Sequence, residues 1–165
     1  MRRRLVVATA ALLAGLAGAV SSRGAAAQGR QAPPDEAGVR AAASAFYAAL
    51  NARDIRAMEA VWSRDADPVL IAPASRSPVV GWEAVRRSFE EAWRRFEEFS
   101  VTVSEPMQVR VGREGALVVA VTPVRTKVRG GGGNAVSYTA LGTTAFERRD
   151  GRWLVVHHHA SQVPQ

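Results

Sequence analysis

The chain has 165 residues, of which 47% are hydrophobic and 22% charged, and it contains no cysteine. This composition is typical of one globular domain and excludes a disulfide scaffold and a cysteine-ligated metal site. The formal net charge is +7, but Arg2, Arg3, Arg4 and Arg23 lie in a segment that we expect to be removed. Without them, 18 basic residues face 15 acidic ones, a net charge of +3. That small excess argues against a nucleic-acid partner, since nucleic-acid-binding proteins concentrate basic charge on one face.

The first 27 residues have the pattern of a secretory signal peptide. Arginines at positions 2–4 precede the uncharged apolar run Leu5–Val20, and Ala25–Ala27 precede Gln28. The run has 16 residues, fewer than the roughly 20 that a membrane-spanning helix needs. We therefore predict cleavage after Ala27, no membrane anchor in the mature protein, and a periplasmic or secreted location. The consecutive arginines leave both the general and the twin-arginine export routes open.

Residues 28–35 are small, polar and proline-bearing, which predicts a flexible tether before a single domain at 36–165. Apolar residues at helical spacing predict a first helix from Val39 to Leu50 and a short second helix capped by Asp54. A third helix follows Gly81, and Val69–Ile71 reads as a short strand. Helices that precede strands in this way favour an α+β fold over alternating βαβ units.

The second half of the domain changes to strand periodicity. Strands are predicted over 101–111, with a bulge or edge at Pro106, and over 117–121, 137–147 and 153–161. Gly130–Gly133 joins two of these strands, and Asp150-Gly151 is a strong tight-turn signal. The glycine run lacks the Lys and Ser or Thr of a phosphate-binding loop, so no cofactor is predicted. The expected result is a four-stranded antiparallel meander.

The order of elements, the segment Gly81–Val85 and above all the ending Glu147–Ser161 resemble the SnoaL-like branch of the nuclear transport factor 2 superfamily. The most specific part is the Asp-Gly turn followed by Trp, aliphatic residues and His-x-His-x-Ser. The resemblance covers about residues 37–163. The same ending is similar to the association domain of calcium/calmodulin-dependent kinase II, so related proteins range from catalysts to assembly modules.

This resemblance implies a cone in which three N-terminal helices pack on a curved antiparallel sheet and enclose a cavity, usually within a homodimer. It implies no particular activity. Cyclases, isomerases and dehydratases with this fold place an acidic base or an Asp–His pair in the cavity, and no such pair matches this sequence residue by residue. Whether the protein is an enzyme therefore stays open.

The three histidines of the chain are consecutive in the last predicted strand. Because neighbouring strand residues point to opposite faces, His157 and His159 share one face and His158 takes the other. The family resemblance implies that this strand lies beside the pocket, so we expect His157 and His159 to face the cavity, where they either transfer protons, contact a ligand or hydrogen-bond within the core. Two imidazoles two residues apart do not complete a metal site without a nearby carboxylate, so no metal is predicted.

Further candidates supply a base and the walls of the cavity. Asp67, with Asp65, is a tentative general base if burial raises its pKa, although its place before Pro68 equally suits a solvated turn. Aromatic and polar side chains on the helices and central strands are candidate ligand contacts. They are Tyr47, Trp62, Trp82, Arg125, Tyr138 and Thr144.

Three functions fit this sequence. The first is an exported protein that binds a hydrophobic small molecule. The second is an isomerase, cyclase or dehydratase with a cavity histidine as general base. The third is a non-catalytic module for homo-oligomerisation. In each case a homodimer is expected, because the apolar run Leu117–Val121 needs cover on both sheet faces and the helices cover only one.

Overall fold

The structure is a computed structural model that describes residues 34–65, 67–104, 106–111 and 117–164, with side chains at all of these positions except 34, 35, 111 and 117–121. The predicted signal peptide and residues 28–33 of the predicted tether lie outside the described residues, as does Glu105. Within the described ranges, no helix combines the length and hydropathy that a membrane span requires.

The first two helices form the predicted hairpin. Helix α1 spans Pro34–Ala52 and α2 spans Ile55–Val61. The Asp54 carboxylate caps α2 by accepting hydrogen bonds from the backbone N–H groups of Arg56 and Ala57. Proline is favoured at the first position of a helix, where its missing N–H costs nothing, and the last two residues of the predicted tether accordingly belong to α1.

Helix α3 spans Trp82–Arg95 and begins directly after Gly81, as predicted. Gly81 has a φ of 85°, a conformation that residues with a Cβ avoid, and its N–H donates to the Pro68 carbonyl at 2.8 Å. The apolar face of α3 buries Trp82, Val85 and Phe89. This contact holds α3 against the same core that α1 and α2 cover.

Seven strands form one sheet in the order β2-β1-β7-β6-β5-β3, with β4 pairing beside β3 on the long strand β5. The strands are β1 (Val69–Ile71), β2 (Val79–Val80), β3 (Glu98–Val103), β4 (Gln108–Val111), β5 (Leu117–Arg129), β6 (Val136–Arg149) and β7 (Arg152–Gln162). The predicted α+β class is confirmed, with three helices packed on a curved sheet. The predicted interruption near Pro106 is confirmed as the gap between β3 and β4.

The sheet is mixed rather than wholly antiparallel, which corrects the sequence-based expectation. Strand β1 runs parallel to β7, with Leu70 opposite His158. The direction is set before β1 begins, because Trp62 already pairs in parallel with Val155. Strand β2, which the sequence analysis did not predict, extends the edge by pairing antiparallel with β1.

Two tight connections hold β5, β6 and β7 together. Asp150 and Gly151 both have positive φ, at 50° and 77°, as the predicted Asp-Gly hairpin turn requires. Gly131 and Gly132 also have positive φ in the hairpin between β5 and β6. The inner face of this hairpin pair packs against the helices, and that packing places the buried polar groups described next.

Candidate functional site

A β-bulge in β7 decides which histidine points inward. Opposite β6, Ala145 pairs with His157 and Phe146 pairs with Val155, so Val156 is an extra residue without a partner. A single extra residue reverses the alternation of all positions that follow it. Before the bulge, Val155 points into the core. After the bulge, the next residue that points inward is His158.

His158, rather than His157 and His159, therefore faces the interior. His158 is 6% exposed, whereas His157 is half-buried and His159 is exposed on the opposite, outer face. The prediction that His157 and His159 face the cavity is wrong. Simple alternation from Val155 gives that prediction, and the bulge at Val156 overturns it.

The His158 ring lies in a closed, mostly apolar setting. Its Nδ1 shares a hydrogen bond of 2.9 Å with Thr144 Oγ1, and its ring centroid is 4.7 Å from that of Phe46. Burial, together with smaller contributions from the neighbouring His157 and His159, lowers the pKa of His158 from 6.5 to about 3. His158 is therefore a neutral imidazole at physiological pH.

Tyr47 reaches the sheet beside His158 because β6 has a glycine there. A Cβ on Gly142 would lie 2.6 Å from Tyr47 Oη and 3.3 Å from His158 Cε1. A distance of 2.6 Å is too short for any real Cβ. The Tyr47 ring can therefore occupy this position only because residue 142 has no side chain. The Tyr47 hydroxyl, the His158 ring and the Thr122 backbone carbonyl thus meet at one point on the inner face.

Three buried donors near this point lack a hydrogen-bond partner among the described residues. They are the Tyr47 hydroxyl, the Trp62 indole N–H and the Thr122 hydroxyl, on side chains that are 6%, 1% and 1% exposed. The Phe46 ring lies between two of these side chains and His158, since its centroid is 5.0 Å from that of Tyr47, 6.2 Å from that of Trp62 and 4.7 Å from that of His158. We call Tyr47, Trp62, Thr122, Thr144 and His158 the interior polar cluster.

The electrostatics of the cluster keep its groups uncharged. Burial raises the pKa of Tyr47, and the nearby Thr122 hydroxyl only partly offsets that effect. The two hydroxyls are close enough to influence each other but do not meet the distance and angle of a hydrogen bond, so both remain unpaired. The cluster therefore presents neutral donors.

Of the residues predicted to form the site, Tyr47, Trp62 and Thr144 lie in the cluster. Trp82 is buried at the start of α3 in the adjoining core, and Tyr138 is half-buried against that core. Burial raises the pKa of Tyr138, and its contact with Thr126 partly offsets this. Arg125 is exposed, because Val124 and Thr126 on either side of it take the inward positions, so its predicted contact with the cavity is wrong.

Asp67 lies outside the interior polar cluster. It is exposed in the segment before the buried Pro68, as the solvated-turn alternative predicted. Asp65 accepts a hydrogen bond from the Ser63 hydroxyl at 3.1 Å and forms an ion pair with Arg149. These contacts tie the loop to β6, and neither carboxylate reaches His158. Within the described ranges, no three His, Asp or Glu side chains converge as a metal site.

Sequence reasoning missed Phe46, Thr122, Gly142 and His158. Thr122 had a usable signal, because Thr122, Val124 and Thr126 alternate along the continuation of β5. Gly142 interrupts a strand pattern, which often marks a close approach of another group. The inward position of His158 had no signal in the sequence, because it results from the bulge at Val156, which depends on pairing with β6.

Comparisons with known proteins place this geometry in a family. The family model described as "SnoaL-like domain" matches residues 39–165. No curated protein matches the chain.

Among solved structures, a nuclear transport factor 2-like superfamily protein from Salmonella enterica subsp. enterica serovar Typhimurium str. LT2 is similar at 15% identity, with 79% of this chain and 92% of that one covered and a TM-score of 0.71. A ketosteroid isomerase-like protein from Erwinia carotovora atroseptica SCRI1043 has 18% identity, 80% and 98% coverage and a TM-score of 0.67. A hexachlorocyclohexane dehydrochlorinase from Novosphingobium barchaimii LL02 has 17% identity, 78% and 86% coverage and a TM-score of 0.67. These likenesses show the fold, and with the family match they establish that the chain belongs to the SnoaL-like domain family.

Proposed function

We propose that this chain binds an uncharged, largely hydrophobic small molecule in its interior, between the helices and the inner face of the sheet. The observation that carries the proposal is the set of three unpaired donors on Tyr47, Trp62 and Thr122. A buried polar group without a partner costs about 1 to 3 kcal/mol, so three such groups on the inner side of the domain favour a ligand that satisfies them. The ligand accordingly carries an acceptor atom such as a carbonyl or ether oxygen.

The ligand is neutral because the interior offers it no opposite charge. Among residues whose burial is described, the buried polar ones include no arginine, lysine, aspartate or glutamate. A carboxylate placed there would lose its hydration without gaining a counter-ion, at a cost of several kcal/mol. Neutral His158 and hydroxyl groups suit a polar but uncharged partner.

Binding is better supported than general-base catalysis. A general base works best when its pKa lies near the operating pH, and the pKa of His158 is about 3. The solved relatives described as isomerase-like and as a dehydrochlorinase support the proposal that this fold accepts hydrophobic small molecules. Proton transfer through His158 is the weaker of the two candidate functions.

The test is native mass spectrometry of the protein purified from its own source. We expect a retained small molecule, and we expect Tyr47→Phe and Thr122→Val to lose it by about tenfold each, the effect of roughly 1.4 kcal/mol. Tyr138→Phe is the matched control, because its hydroxyl is not among the unpaired donors. A protein that retains nothing, or a Tyr47→Phe variant that retains as much as Tyr138→Phe, would refute the proposal.

We further propose that the mature protein begins at Gln28 and acts outside the cytoplasm. The arginines at 2–4, the uncharged run that follows and the small residues before Gln28 support this location. Amino-terminal sequencing of the exported form checks it. An exported protein that still carries Met1 would contradict it.

We also propose a homodimer formed through the outer face of the sheet. That face carries the exposed Leu141, which is 42% accessible, and the half-buried Pro123, Thr143 and Ala145 around it. Small and apolar residues on the outer face of a sheet suit a self-complementary contact between two copies. Analytical ultracentrifugation checks the proposal, and a monomer at all concentrations above about micromolar would contradict it.

A further inference from the structure

A concavity lies at the surface of the domain, between α2 and the beginning of β7. Its volume is about 290 Å³, near the lower end for small-ligand pockets. Arg56 lies one residue into α2, and Arg152 follows the Asp150-Gly151 turn at the start of β7. The helix hairpin and the strand turn thus bring two arginines that are 96 positions apart in sequence to one opening.

The charges around this opening are unbalanced. Arg56, Arg64 and Arg152 line it together with one carboxylate, Glu59, which pairs with Arg64 at 3.3 Å. The guanidinium groups of Arg56 and Arg152 form no ion pair with any residue in the described part of the chain, and both side chains are exposed. Two uncompensated cations that face one concavity favour the binding of an anion.

The floor of the concavity is apolar. Leu154 is 9% exposed and lies outside the main core cluster, and the exposed Ala60 also lines the concavity, whereas Trp62 is 1% exposed and offers it almost no surface. An inorganic ion would leave this floor unused. An apolar body beside an acidic group would cover the floor and place its charge between the arginines.

We propose that this concavity binds a small organic anion, with its acidic group between Arg56 and Arg152 and its apolar body on Ala60 and Leu154. Guanidinium groups pair with planar carboxylates through two parallel hydrogen bonds, which fixes the orientation of such a ligand. The site is separate in chemistry from the interior polar cluster, which takes a neutral molecule. The two proposals can fail independently.

The probe is benzoate, titrated calorimetrically into the full-length mature protein, with benzamide as its uncharged counterpart. Benzoate is expected to bind, and benzamide, which lacks the charge, to bind at least tenfold more weakly. Arg56→Gln and Arg152→Gln should each weaken benzoate binding by about five- to tenfold, because both side chains are exposed and water reduces the loss to that of an ordinary hydrogen bond. Arg87→Gln removes an exposed arginine of α3 away from the concavity and should change binding by less than about twofold.

Three results would overturn the proposal. They are equal binding of benzoate and benzamide, unchanged benzoate binding in the double variant Arg56→Gln/Arg152→Gln, and sulfate binding as tight as benzoate binding. Tyr47→Phe should leave benzoate binding unchanged while it lowers retention of the interior ligand. That difference separates a failure here from a failure of the interior site.

Discussion

The two faces of β7 place the same residue type, histidine, in different environments. On the inner face, His158 is buried, bonded to Thr144 and neutral, with a pKa of about 3. On the outer face, His159 is exposed and His157 is half-buried. Burial lowers the pKa of His157, and the nearby His159 acts in the same direction. One unpaired residue in the strand, Val156, decides which histidine belongs to which environment.

The largest expected effect is a loss of stability in acid that originates at His158. Its pKa is 6.5 in the unfolded chain and about 3 in the folded one, so below pH 6.5 only the unfolded state takes up the proton. The folded state should therefore lose about 2.5 kcal/mol between pH 7 and pH 4.5, and about 4 kcal/mol by pH 3. Urea unfolding measured across this pH range gives the slope.

Replacing each histidine singly shows which face of β7 causes the pH dependence of the unfolding free energy. His158→Gln keeps a polar, hydrogen-bonding side chain without a titrating group, so its unfolding free energy should depend much less on pH between 6.5 and 4. His159→Gln on the outer face should keep the slope of the parent protein. If the unfolding free energies of the two variants depend equally on pH, the pH dependence does not originate at the buried His158.

The next effect concerns the contact between Tyr47 and the sheet. Gly142→Ala places a Cβ 2.6 Å from Tyr47 Oη, and such overpacking should cost about 1 to 3 kcal/mol of unfolding free energy. Tyr47→Phe removes the clashing oxygen and should recover most of this loss in the double variant. Because the hydroxyl has no partner, Tyr47→Phe alone should leave the ligand-free protein as stable or slightly more stable. If the loss of unfolding free energy in the double variant equals the sum of the losses in the two single variants, this geometry is contradicted.

Adjacent threonines of β6 give a smaller, matched comparison. Thr144→Val removes the hydrogen-bond partner of His158 Nδ1 and should cost about 1 to 2 kcal/mol, since the ring nitrogen then stays buried and unpaired. Thr143→Val changes the same residue type on the outer face and should shift stability by less than about 0.5 kcal/mol. Thermal unfolding of both variants checks the difference. Equal shifts would mean that the Thr144 contact contributes nothing.

Much of the fold was predictable because its signals are local. Helical spacing, the Asp54 cap and the Asp150-Gly151 turn depend on nearby residues, and all three are confirmed. The helix-then-strand order and the ending of the chain indicated the family, which the family match confirms.

The candidate site was predictable only in part because its geometry depends on pairing between distant strands. Tyr47, Trp62 and Thr144 were named from residue type and spacing, and all three are buried, while their contact with a ligand stays a prediction. The inward position of His158 follows from a register shift against Ala145 and Phe146, which no local pattern encodes. The prediction for Arg125 was wrong for a related reason, because pairing of β5 with β3 and β6 determines which residues of β5 point inward.

The smallest effect on stability, and the last test of the comparison, concerns the outer histidines. Replacement of His157 and His159 together by Gln should change the unfolding free energy by less than about 0.5 kcal/mol, because neither side chain is buried. In the proposed dimer, however, both rings lie at the contact between two copies. Partial burial of His157 lowers its pKa already in one chain, with the nearby His159 acting in the same direction, and cover by a second copy adds to that burial. The dimer dissociation constant should therefore rise as the pH falls from 7 to 5 in the parent protein and stay constant in the double variant. Sedimentation at both pH values measures this change, and an equal pH dependence in the two proteins would place the contact elsewhere.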